Sequence, residues 1–262
     1  YIFVTVLALC SVALSLGQLN SARSEVRITH TQIGDSPATL YQSGTQSDLL
    51  VVVSHGFAGS RQMMESISLS LAKAGHDIVA FDYIGHGRHA QTLSPDITTL
   101  EGTTEDLVQQ TLDVVSAAQA RTGHQRLALV GHSMATDVII RAAERLGGVE
   151  AVVAISMYSE AVTPTHPKRL LIVSGAQESR LRAVAHSALQ QVGGSMEGVT
   201  VRRDAVERRV SVAPYVGHVG VLWSAYTSAE ILGWLGEEGT STVTWPWIAG
   251  LLVGLFALFW PL

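Results

Sequence analysis

A single five-residue junction constrains this chain more than any other feature: Gly131-His132-Ser133-Met134-Ala135. Before it runs Arg126-Leu127-Ala128-Leu129-Val130, a short apolar stretch of strand character. After it, residues 136–146 place Val138, Ile139, Ala142, Ala143 and Leu146 at helical spacing. A serine between small residues at a strand-to-helix junction sits on a tight elbow. The turn strains the serine backbone and leaves little room for neighbouring side chains. It also lifts the hydroxyl clear of the sheet, towards a helix N-terminus that favours negative charge. The usual pattern is G-x-S-x-G, and Ala135 stands where its last glycine would be.

Other junctions of the same kind surround it. Leu49-Leu50-Val51-Val52-Val53 is a continuous apolar run, as expected of a strand buried on both faces. It runs into Ser54-His55-Gly56-Phe57-Ala58-Gly59, whose glycines let the main chain approach a reacting carbonyl. The backbone N–H groups of Phe57 and Met134 are the expected oxyanion donors. Asp77-Ile78-Val79-Ala80-Phe81 reads as a further strand, leading into a polar, glycine-rich turn in which Asp82 organises its own loop. Strand-like residues 209–213 are followed by Gly217-His218, and strand-like residues 169–174 by Gly175-Ala176-Gln177-Glu178. The order nucleophile, acid, base is then Ser133, Glu178, His218. All three follow strands of one β/α alternation, and so meet at one edge of a parallel sheet.

From about residue 49 to residue 234 the chain resembles the α/β-hydrolases of the esterase, lipase and serine-aminopeptidase type. The matching segments are His55-Gly56-Phe57-Ala58-Gly59, Phe81-Asp82-Tyr83-Ile84-Gly85-His86-Gly87, Gly131-His132-Ser133-Met134-Ala135, Ser174-Gly175-Ala176-Gln177-Glu178 and Gly217-His218. The resemblance implies a mostly parallel, doubly wound sheet of about eight strands and a hydrolytic triad. Ala135 departs from the usual glycine, and Glu178 stands where aspartate is commoner, with Glu160 and Asp204 as competing acids. In the resembling family a cap is inserted before the strand at residues 168–173. Only residues 158–167 are available for it here, so an uncapped, open site is expected.

Helical patterns appear at residues 64–74, 105–121, 136–146, 179–192 and 219–235, and early antiparallel strands at 26–28 and 39–42. His55, His86, His89 and His132 lack regular metal-ligand spacing and read as pocket-lining or turn residues. A net charge of -5, without a basic run, argues against nucleic acid as a partner. Neither a P-loop nor a G-x-G-x-x-G after a strand is found, which argues against nucleotide chemistry. No cofactor is expected.

Both ends are apolar. Residues 1–19 read as a membrane anchor, with a signal peptide as the alternative. Residues 243–262 read as a transmembrane helix, with Trp245, Trp247 and Trp260 towards its ends. Between them, residues 25–236 form the hydrolase-like domain. The expected protein is a membrane-located serine hydrolase acting on a small-molecule or lipid-like ester. Peptidase or thioesterase activity on the same machinery, and a catalytically silent binding module, are the alternatives.

Overall fold

The computed structural model describes residues 2–44, 48–96, 99–237 and 241–259. After helix α1 (Ile2–Arg23) come strands β1 (Arg27–Ile33), β2 (Ser36–Gln42) and β3 (Leu49–Ser54). Helix α2 (Glu65–Lys73), strand β4 (Asp77–Phe81) and helix α3 (Glu105–Thr122) follow. Next are β5 (Arg126–His132), α4 (Ala135–Leu146), β6 (Ala151–Ile155), β7 (Arg169–Gly175) and α5 (Ser179–Gln190). The chain closes with β8 (Thr200–Arg203), β9 (Val206–Ala213), α6 (Ala225–Leu235) and α7 (Trp245–Phe259).

The strands form one sheet in the order β1-β2-β4-β3-β5-β6-β7-β9-β8. From β4 to β9 all pairings are parallel, and antiparallel pairs occur only at the two edges. The β-branched run of β3 is buried throughout because helices cover both faces. Leu50 and Val52 pack towards α3, α4 and α5, while Leu49, Val51 and Val53 pack towards α2 and α6. The order reverses direction between β3 and β5, which places the ends of these two strands beside a crevice at the carboxyl edge.

Among the described residues the sheet has nine strands, one more than the eight or so expected. The additional one, β8, is a short polar edge strand whose hairpin with β9 carries little apolar signal. The helical pattern over 219–235 is interrupted: a 3-10 turn (Gly220–Trp223) ends at Ser224, whose extended ψ of 126° separates it from α6. The β1–β2 hairpin is longer than the apolar pattern indicated: β1 is a half-exposed edge strand whose polar residues carry no apolar signal.

At 22 residues, with an 18-residue stretch of mean hydropathy 2.2, α1 is long and apolar enough to cross a membrane; α7, with 15 residues, is shorter. Trp260 and the end of the expected 243–262 span lie outside the described residues. The two helices pack against each other. Ser11 donates to the Gly250 carbonyl at 2.8 Å, and a Cβ on Gly254 would lie 2.8 Å from Val12 Cγ2. Large apolar side chains elsewhere on the pair, including Phe3, Leu7, Leu14, Leu252 and Phe256, are exposed.

Candidate active site

Ser133 stands between β5 and α4 with φ +54°, a left-handed conformation unusual for a residue with a side chain. The elbow is held by hydrogen bonds from Ser133 N–H to the Ile155 carbonyl (2.9 Å) and from Thr136 N–H to the Ser133 carbonyl (2.9 Å). Gly131 is required by crowding: a Cβ there would lie 2.9 Å from Ile139 Cδ1 and 3.1 Å from the Ala135 carbonyl oxygen. Ala135 is the first residue of α4, is fully buried and has no positive φ, so this position makes no demand for glycine.

The other two expected residues reach Ser133 from loops after β7 and β9. The Ser133 hydroxyl lies 2.9 Å from His218 Nε2, and His218 Nδ1 lies 2.6 Å from Glu178 Oε1. A carboxylate can only accept, so Nδ1 carries the proton and Nε2 is left as an acceptor facing the serine. Glu178 is buried, and its Oε2 accepts from Gly175 N–H at 2.6 Å and from the Ser156 hydroxyl at 2.8 Å. These donors offset the cost of a carboxylate removed from water. Ser156 was missed in the sequence. A lone serine after a strand carries no distinguishing signal, although its φ of +52° shows that the turn is constrained.

The loop after β3 passes close beside Ser133. A Cβ on Gly56 would come within 3.0 Å of Ser133 Cβ, so the main chain leading into Phe57 runs close to Ser133. Neither the Phe57 nor the Met134 amide has an acceptor among the described residues. The rival acids are elsewhere. Glu160 is exposed, and Asp204 occupies the β8–β9 turn with φ +51°.

The other histidines near the site bond to main-chain atoms. His55 accepts from Tyr83 N–H at Nε2 (3.1 Å) and donates from Nδ1 to the Gly56 carbonyl (2.8 Å). Burial pushes its pKa down to about 4. His132 lies beside His218, with ring centroids 4.8 Å apart, and burial likewise pushes it down to about 4. Asp82 organises its own loop, accepting from Arg61 N–H (2.8 Å), the Arg61 guanidinium and Arg88 N–H (2.9 Å). Among the described residues no group of three or more His, Cys, Asp or Glu side chains is placed to hold a metal ion.

The connection from β6 to β7 is short, with a Thr163–His166 bridge and no inserted domain.

Comparison with known proteins agrees with this architecture. The sequence profile of the serine aminopeptidase (S33) family matches residues 45–220. No curated protein sequence matches significantly. Among solved structures, the fold is similar to dienelactone hydrolase from Anabaena variabilis at 17% identity and TM-score 0.58, covering 81% of this chain and 98% of that one. It is also similar to Est1E from Butyrivibrio proteoclasticus, solved with ferulic acid bound (14%, TM-score 0.59, 79% and 99% covered). A third is an α/β serine hydrolase without a lid from Xanthomonas campestris (15%, TM-score 0.56, 79% and 95% covered). At these identities the three likenesses speak for the fold alone. The family profile covers more than half of the chain and includes Ser133, Glu178 and His218. The protein is a hydrolase of the α/β-hydrolase superfamily and belongs to the serine aminopeptidase (S33) family.

Proposed function

We propose that this protein is a membrane-associated serine hydrolase that cleaves carboxylic esters through an acyl-enzyme. The observation that carries the reading is the continuous chain Ser133 Oγ, His218 Nε2, His218 Nδ1, Glu178 Oε1, with links of 2.9 and 2.6 Å. His218 takes the hydroxyl proton as Ser133 Oγ attacks the carbonyl carbon. The Phe57 and Met134 amides donate to the oxyanion. The protonated His218 then passes its proton to the leaving oxygen, and water, deprotonated by the same nitrogen, releases the acid. Glu178 holds the imidazole in the required tautomer and stabilises the imidazolium.

Ester substrates are supported by similarity to a dienelactone hydrolase and to a protein that holds ferulic acid. Peptidase activity is the second reading, favoured by the family's description as serine aminopeptidases. Membrane association is supported by the apolar, exposed surfaces of α1 and α7 and by their mutual packing, which suits a helix pair in lipid. With the site uncapped, bulky or membrane-borne esters can reach Ser133 without a lid opening.

Fluorophosphonate labelling of the full chain tests the chemistry. Labelling at Ser133, lost in Ser133→Ala, is expected, and an unlabelled wild type would indicate a silent binding module. A panel of ester, thioester and peptide substrates separates the hydrolytic readings. Carbonate extraction tests the anchoring, with release into the soluble fraction as the outcome that rejects it.

A further inference from the structure

His132 is the last residue of β5 and the chain neighbour of Ser133, yet its ring is turned towards the loop that carries His218. Its Nε2 lies 2.8 Å from the His218 carbonyl oxygen. A carbonyl only accepts, so Nε2 carries the proton and Nδ1 is bare. The side chain is almost enclosed. The titratable groups that face it are His218, Glu178 and His55. Gly56 closes the remaining side, where a Cβ would fall 2.9 Å from His132 Nδ1.

The loop it holds needs holding. His218 is half-exposed and lies between Gly217 and Gly220, so its main chain has few side chains to anchor it. The neighbouring ties are Gln177 N–H to the Val216 carbonyl and Val221 N–H to the Gly217 carbonyl, both 3.1 Å. Among the described residues the His218 carbonyl is held by His132.

We propose that His132 is a positioning residue, whose Nε2–H clamps the His218 main chain to the strand that ends in Ser133 and so sets the distance between base and nucleophile. The inference rests on the reading of Ser133, His218 and Glu178 as a working triad. Because donor and nucleophile are consecutive residues, any shift of the elbow carries the base loop with it. The donor also persists through the pH range of the reaction. Burial holds His132 neutral down to about 4, well below the ordinary histidine value of 6.5.

Three variants of the full-length enzyme test this, assayed with a short-chain p-nitrophenyl ester and a fluorophosphonate label. His132→Phe keeps the ring volume and removes the donor. His132→Gln places an amide N–H near the position of Nε2, and His132→Asn stops short of it. Misplacing a reacting group lowers kcat steeply, so His132→Phe is expected to lose about 10- to 100-fold in kcat with KM changed less than about threefold. His132→Gln should recover most of that loss, and His132→Asn should not. The acid limb of the pH profile should stay at one pH in every variant, because His132 does not titrate there.

Wild-type kcat in His132→Phe overturns the clamp. Equal impairment in His132→Phe and His132→Gln, or an acid limb that moves with the substitution, does the same. If His132→Phe fails to fold, equal kcat in the Gln and Asn variants is the overturning result. Failure of the fluorophosphonate to label wild-type Ser133 overturns the triad and the clamp together. A labelled wild type with an unaffected His132→Phe rejects the clamp alone.

Discussion

The Ser156 hydroxyl donates to Glu178 Oε2 at 2.8 Å, while the other carboxylate oxygen faces His218 Nδ1 at 2.6 Å. The Glu178 carboxylate is therefore gripped from behind by a residue on the neighbouring strand's loop. Replacing Ser156 by glycine removes the hydroxyl and also relieves the strain of φ +52°. Because a charge-assisted hydrogen bond is lost, Ser156→Gly should lower kcat by about tenfold, with little loss of thermal stability. Steady-state kinetics and a melting curve check both halves.

Graded effects are expected along the proposed triad. His218→Ala should cost about 10⁶ in kcat, and Glu178→Gln about 10⁴, since the amide no longer enforces the Nδ1–H tautomer. Glu160→Gln should stay near wild type, because its side chain is exposed and His218 Nδ1 is paired with Glu178. Loss of activity in Glu160→Gln together with an indifferent Glu178→Gln would reassign the acid.

Stability should fall on acidification before the carboxylates titrate. His55 and His132 are both held near pKa 4, against 6.5 for an ordinary histidine. Between these values the unfolded chain binds more protons than the folded one, so stability rises with pH across that window and is lost as pH falls through it. Melting temperature measured from pH 7 to pH 4.5 should decline, and His132→Gln should flatten the decline.

Arg208 is fully buried, and among the described residues its guanidinium is bonded to carbonyls and an amide rather than to a carboxylate. Its guanidinium donates to the Ala188 carbonyl at 2.7 Å and the Thr163 carbonyl at 2.5 Å, tying α5 to the short β6–β7 connection. Burial pushes its pKa down to about 10. Arg208→Met removes this donor from the buried Ala188 carbonyl and should destabilise the fold by about 1 to 3 kcal/mol. Urea denaturation measures the loss.

The helix pair can be separated by one side chain. At Gly254 a Cβ would also lie 3.0 Å from the Ala8 carbonyl, a backbone atom with little room to retreat. Spin labels on Cys10 and on a Leu252→Cys replacement should show one narrow distance in lipid vesicles, broadened in Gly254→Leu. An unchanged distribution would mean that the two helices are not held together at this seam.

Local signals carried much of the architecture. The β-branched run of β3, the helical spacing in α4 and the small residues of the elbow depend on chain neighbours within a few positions, so they are legible in order along the sequence. The loops bearing Glu178 and His218 were likewise readable, because each follows an apolar strand. The edge strand β8 was not, since a polar strand of four residues takes its identity from its partner β9.

By itself, the sequence determined the β/α alternation, the strained serine elbow, the shortage of chain for a cap and the apolar character of both ends. Only the tertiary structure decided that β3 lies between β4 and β5, that Ser156 supports Glu178, that His132 holds the His218 main chain, and that α1 packs on α7. The physical reason is separation along the chain. Burial pattern and turn strain arise among neighbouring residues, whereas a hydrogen bond between groups 86 residues apart, as for His132 and His218, exists only after the sheet has brought their loops to one edge.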